Sequence, residues 1–210
     1  MKKEVKELMN LKENRLIFIG GRPSTGKTSL ILDITKEVAL NDKIPVVVFS
    51  LETGIKKCVD LILGENKTLD YIKELSEANI FIDDTPAISI ETIKEKCIKL
   101  KKEKNIGLIV IDYFQLIEIE RESKLKGSEM AKISLTLKKL AQELNIPIII
   151  TSQLKAEIDE REDKRPKLGD VIGNAVEQDS DVVMFLYNED NNREIIVAKN
   201  RYGVIGTIKL

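Results

Sequence analysis

Histidine is missing from this 210-residue chain, and cysteine occurs only twice. Without histidine there is no Ser-His or Cys-His nucleophile pair and no imidazole general base, so chemistry must run on carboxylates, lysine, arginine and amides, with or without a metal. Cys58 and Cys97 lie far apart, each inside an apolar helical pattern, with no CxxC. Zinc-site and disulfide readings fall away, and buried reduced thiols remain. An apolar run of about 18 residues, long enough to cross a membrane, is also lacking. The opening MKKEVKELMNLKEN has no signal-peptide core of about 7 apolar residues or more, so a cytoplasmic protein with no membrane partner is expected. Nor is there an excess of one charge: 34 basic side chains face 35 acidic ones, a net of -1. Any nucleic-acid contact must therefore come from local clusters.

What is present is ordinary for one soluble domain, 42% hydrophobic and 33% charged. A short N-terminal segment over residues 1–14 and one domain over residues 15–210 are expected. Short β-branched runs, RLIFIGG, PVVVFS, NIFIDD, IGLIVIDY, NIPIIITSQ and SDVVMFLY, are separated by helix candidates at residues 28–40, 55–63, 69–79, 89–105 and 128–145. In the last of these Met130, Ile133, Leu137, Leu140 and Leu144 repeat at steps of three and four and line one face, as a core-facing helix requires. Strands that are apolar almost throughout, alternating with helices, predict an α/β fold with a parallel sheet covered on both faces. After Val182 short polar or Gly-containing connections predict antiparallel hairpins at one sheet edge. Residues 118–127 and 155–176 are the loops most open to function.

The stretch LIFIGGRPSTGKTSLILDITKEV reads strand, glycine loop, helix, and contains Gly21-x4-Gly26-Lys27-Thr28. Residues Gly21, Arg22, Pro23, Ser24, Thr25, Gly26, Lys27, Thr28 and Ser29 form the candidate phosphate cradle. Backbone N–H groups curl around phosphate oxygens, the helix N-terminus adds positive potential, Lys27 reaches the terminal phosphates, and Thr28 offers its hydroxyl to magnesium. A second magnesium contact is expected at the end of an apolar strand, where GLIVIDY supplies Asp112. Asp83 and Asp84 in FIDD compete from a shorter strand. Water activation without histidine points to a carboxylate, and Glu52 after PVVVFSL ends a strand on the same rim. Gln153, ending PIIITSQ there, is an amide able to read a γ-phosphate. In IIVAKNRYGVIGTIKL, Lys199 and Arg201 fall on a tight connection between apolar runs with no carboxylate in the connection itself, which suggests an anion supplied from elsewhere.

These stretches, together with IDYFQL, DKRP, EQDSD and AKNRYGVIGTIKL in this order, resemble the RecA-like C-terminal motor domain of DnaB-type replicative helicases from Leu16 onward. The resemblance implies a RecA-like P-loop NTPase that hydrolyses ATP with Mg2+ while translocating on single-stranded DNA. It also implies a homo-hexamer or other ring with ATP sites between subunits, and contacts with replication proteins. Lys27, Thr28, Glu52, Asp112 and Gln153 match the phosphate lysine, magnesium threonine, water-activating glutamate, magnesium aspartate and γ-phosphate sensor. Lys199 and Arg201 match the basic pair inserted into the adjacent subunit's site. DNA is gripped in this family by basic loops, for which Arg121, Lys124 and Lys126 in ERESKLKGS and Lys164, Arg165 and Lys167 in DKRPKLGD are the candidates. GDVIGNAVEQ is one residue shorter than the family loop and lacks its Arg-Glu pair. That departure motivates the alternative expectation of a stand-alone RecA-like assembly or switch ATPase without helicase activity.

Overall fold

A computed structural model describes residues 14–119, 126–189 and 192–210, together with residues 5, 9 and 11. The backbone is an eight-stranded sheet in the order β3-β2-β4-β5-β1-β6-β7-β8. The strands are β1 (Leu16–Gly21), β2 (Val46–Ser50), β3 (Ile80–Asp83), β4 (Leu108–Asp112), β5 (Ile148–Gln153), β6 (Val182–Glu189), β7 (Asn192–Asn200) and β8 (Gly206–Lys209). All pairings from β3 across to β6 are parallel. The β6–β7 and β7–β8 pairings are antiparallel, as expected after Val182.

The helices are α1 (Lys27–Leu40), α2 (Ile55–Leu63), α3 (Leu69–Glu77), α4 (Ile90–Lys104), α5 (Lys126–Leu144) and α6 (Asn174–Asp179). The first five fall where apolar periodicity places them, with ends shifted by up to two residues. Ser89 caps α4, its hydroxyl accepting from the Thr92 amide, and Asn105 ends it in the left-handed conformation at φ 51°. α6 was not anticipated: it begins inside the stretch read as a loop over residues 155–176. So short a helix leaves no apolar period to detect. The opening residues of α5, likewise, fall at the end of the stretch read as a loop over residues 118–127.

Alternation along each strand divides the core. Leu16, Phe18, Val47, Phe49, Ile109 and Ile111 face α4 and α5 in one cluster. Ile17, Ile19, Val46, Val48, Leu108 and Val110 face α1 and α2 in the other. Residues two apart share a face, so strands that are apolar at every position feed both layers. Val5 and Met9, in helical conformation, are fully buried in the α1 and α2 layer. The remaining residues of the proposed 1–14 segment lie largely outside the described residues. Among the described residues no helix is long and apolar enough to cross a membrane.

Candidate nucleotide site

Because β1, β2, β4 and β5 are parallel, their C-terminal ends share one rim, and the loops leaving them meet there. A cleft of about 560 Å³ on this rim is lined by Lys27, Thr28, Glu52, Asp112 and Gln153 along with P-loop backbone. The five chemistry-bearing residues expected from the sequence are thus brought together. Lys57 on α2 lines the same cleft. Sequence reasoning passed over it, because one lysine in the pair Lys56-Lys57 of an exposed helix carries no distinguishing signal.

The P-loop turns between β1 and α1. Gly26 holds φ 95°, a left-handed conformation strained for any other residue, and caps α1 without a side-chain acceptor. The N–H groups of the first helical turn therefore lack a side-chain partner and suit a bound anion. Lys27 Nζ donates to the carbonyls of Gly21 at 2.9 Å and Arg22 at 3.0 Å. Burial pushes its ammonium below the ordinary lysine range, opposed by the negative charges of Asp112 and Glu52. The Arg22 guanidinium is engaged by residues outside the P-loop: it forms a two-pronged ion pair with Asp159 and reaches the Leu154 carbonyl at 3.4 Å. Arg22 therefore anchors the loop through its side chain.

Asp112, only 2% exposed, accepts from the Thr28 hydroxyl at 2.6 Å through one carboxylate oxygen and from the Thr151 hydroxyl through the other. Among the described residues no group of three or more Asp, Glu, Cys or His side chains could enclose a metal by itself. A carboxylate and a hydroxyl beside a phosphate cradle are the donors that a magnesium ion sharing its coordination with nucleotide phosphates requires. The competing aspartates are occupied elsewhere. Asp83 pairs with Lys96 at 2.5 Å and accepts from the Thr85 amide, and Asp84 accepts from the Ile55 amide at 3.1 Å, at the start of α2.

Glu52 sits on a bend held from both ends. The Ser50 hydroxyl donates to the Thr53 carbonyl at 2.6 Å, and the Leu51 amide donates to the Asp112 carbonyl at 2.7 Å. Glu52 itself is exposed to the cleft. The end of β5 is held by Gln115, whose amide nitrogen donates to Ser152 Oγ at 2.6 Å and to the Gln153 carbonyl at 3.2 Å.

The basic pair lies apart from this cleft. Lys199 is the penultimate residue of β7 and Arg201 begins the following turn, so only the arginine lies in the connection. Lys199 Nζ donates to the carbonyls of Glu177 at 2.5 Å and Gln178 at 3.1 Å; Arg201 Nη2 donates to the Gln178 carbonyl at 2.7 Å. Both cations thereby cap the C-terminal end of α6. A carboxylate also approaches from outside the connection: Asp181, 1% exposed, lies 3.7 Å from Arg201 Nη1, pairs with Lys138 and accepts from the Leu16 amide at 2.9 Å. Burial, and then Arg201, hold the Lys199 ammonium below its usual range.

Of the candidate DNA loops, Arg121 and Lys124 lie outside the described residues, as does the side chain of Lys126, a residue of α5. Arg165 donates to the buried Glu194 at 2.8 Å and lies over the Tyr187 ring at 5.6 Å. Lys164 lies 3.5 Å from Glu189. Lys167 uses its backbone amide to donate to Asp170, and its side chain is exposed.

A family model described as DnaB-like helicase C terminal domain matches residues 4–72 and 64–210. The replicative DNA helicase DnaB of Geobacillus stearothermophilus is 40% identical over 225 residues, covering 93% of this chain and 50% of that protein. The replicative DNA helicase DnaC of Bacillus subtilis (strain 168) is 39% identical over 227 residues, covering 94% and 50%. The chain thus spans about half the length of these relatives. Among solved structures, a DnaB-like replicative helicase studied with primase superposes with a TM-score of 0.85 at 30% identity, over 95% of this chain and 55% of that one. A second solved structure, described as an ATPase domain, gives 0.86 at 30% identity, over 99% and 84%. The α/β sheet with its antiparallel edge is accordingly the RecA-like fold of those domains, and this chain belongs to the DnaB-like helicase C-terminal domain family.

Proposed function

We propose that this domain is the ATP-hydrolysing motor of a DnaB-type replicative helicase, which acts in the cytoplasm as a ring of identical subunits on single-stranded DNA. The observation that carries the reading is the convergence of Lys27, Thr28, Glu52, Asp112 and Gln153 on one cleft at the rim of a family domain. In this reading the P-loop amides and Lys27 bind the triphosphate, Glu52 orients and deprotonates the attacking water, and Gln153 senses the terminal phosphate. Thr28 and Asp112 hold Mg2+, which when bound neutralises charge on the phosphate oxygens. Lys199 and Arg201 serve the site of the neighbouring subunit, where cations stabilise charge on the phosphoryl group in transfer.

The test is the ATPase rate with and without single-stranded DNA, in a sample whose mass shows an oligomer. Stimulation by DNA supports the motor; its absence in a confirmed oligomer sinks the DNA part of the proposal. One observation favours the second reading, a nucleotide-dependent assembly or switch ATPase. Lys164 and Arg165 already face Glu189 and Glu194, which reduces the positive charge that this loop offers to a phosphate backbone. Nucleotide-driven oligomerisation without DNA affinity at low salt would select that reading.

A further inference from the structure

Arg193, near the start of β7, projects over the P-loop of its own chain. A Cβ built on Gly26 would lie 3.0 Å from Arg193 Nη2 and 3.9 Å from Cζ, so the guanidinium rests against the face of this glycine. A Cβ at Gly26 would only displace the tip of this flexible side chain, so the constraint on the glycine remains its φ of 95°, and the contact marks where the guanidinium lies. The nearby carboxylates are engaged elsewhere. Glu189 accepts from the Tyr187 hydroxyl and faces Lys164, and Glu194 accepts from Arg165. Among the described residues Arg193 has no ion-pair or side-chain hydrogen-bond partner, and it is exposed.

The position along the sheet identifies what such a cation would meet. Glu52, Asp112 and Gln153 stand at the ends of β2, β4 and β5, all on one side of β1, whereas β6 and β7 lie on the other. A triphosphate cradled by the loop after β1, with its terminal phosphate toward the first group, directs its nucleoside end toward β6 and β7. Resting on the proposed nucleotide-binding role of the P-loop, we infer that Arg193 is an additional binding residue of the same subunit, contacting the ribose and α-phosphate of the nucleoside triphosphate. A guanidinium donates in a fork to adjacent oxygens, and such charge-assisted bonds are the strong ones.

The experiment compares dissociation constants of ADP, a non-hydrolysable ATP analogue and inorganic tripolyphosphate for the intact chain, Arg193→Ala, and Arg193→Gln, which keeps much of the alkyl stem. Lys27→Ala is the control for loss of the cradle. The expected result is an equal loss of roughly 10-fold for ADP and the ATP analogue in both Arg193 variants, with a smaller loss for tripolyphosphate, which has a phosphate at the α position but no ribose. Unchanged nucleotide affinity in the Arg193 variants overturns the inference. So does a larger loss for the ATP analogue than for ADP, which would place the guanidinium at the γ-phosphate, or a loss for tripolyphosphate as large as that for the ATP analogue, which would leave the ribose no part in the contact. If the intact chain binds none of the three probes, the P-loop reading itself fails.

Discussion

The Thr28 hydroxyl donates to Oδ2 of Asp112 across 2.6 Å, joining the first turn of α1 to the end of β4, 84 positions further along the chain. Oδ1 is taken by Thr151 on the next strand, so one buried carboxylate gathers α1, β4 and β5. Asp112→Asn keeps the shape but replaces one oxygen with a donor that faces one of the two hydroxyl donors. We predict a stability loss of about 1–3 kcal/mol by chemical denaturation. Nucleotide binding that no longer strengthens when MgCl2 is added is the second expected effect. Magnesium-dependent binding retained in the variant would remove Asp112 from the metal role.

Glu52 is exposed on its bend, and among the described residues its side chain has no hydrogen-bond partner. Glu52→Gln is expected to leave nucleotide affinity within about twofold and to lower turnover by at least about 100-fold, the range for loss of a general base. Lys27→Ala should lose affinity and turnover together. Retained turnover in the Glu52 variant would identify another base.

Arg201→Ala should lower turnover in an assembled ring by about 1,000-fold or more, as expected for a cation supplied to a neighbouring site. Mixing Arg201→Ala with Glu52→Gln subunits creates some interfaces with both groups intact. Partial recovery in mixed rings confirmed by mass is expected, and no recovery would exclude action between subunits.

Arg165 and Lys167 should behave differently although they stand two residues apart. Arg165→Ala leaves Glu194 buried without its partner, and a loss of about 1–2 kcal/mol is expected; the arginine is partly exposed, which keeps the value below that of a fully buried pair. In a chain of this size that is a fall of roughly 2–8 °C in Tm. Lys167→Ala should leave Tm unchanged and weaken single-stranded DNA binding at low salt. A fall in DNA affinity for Arg165→Ala at unchanged Tm would reverse these assignments.

Cys97 is fully buried, and burial pushes its thiol up to about 12 from 9.0; burial also raises Cys58. A thiol whose folded value is raised stabilises the fold below the unfolded value of 9.0, and that contribution is lost as pH climbs toward 12. At pH 9, folded Cys97 is ionised to about one part in a thousand while the unfolded thiol is half ionised. Neither cysteine should react with a thiol reagent in the native protein within minutes, and both should react in denaturant. Rapid native labelling of Cys97 would contradict its burial.

Local relationships were carried well by the sequence and distant ones poorly. The P-loop was legible because its glycines, lysine and threonine are close neighbours along the chain, and the helices because apolar positions recur at their own period. The shared rim was legible because parallel strands must end on one side. The partners of the basic pair were not. Asp181 lies next to Arg201 only because β7 runs back antiparallel beside β6, pairing Val182 with Asn200. Arg193 belongs to no motif, and its place over Gly26 follows from a hairpin register that no local pattern encodes. Arg165 looked like a phosphate ligand in a basic run until the register of β7 put Glu194 within its reach.

The short helix α6 gives the two cations a resting berth on peptide oxygens. An incoming anion must compete with those carbonyl bonds before it can recruit either side chain, so a solitary subunit keeps its own charges docked. In the proposed ring, whatever moves α6 also sets how readily those charges reach the neighbouring site.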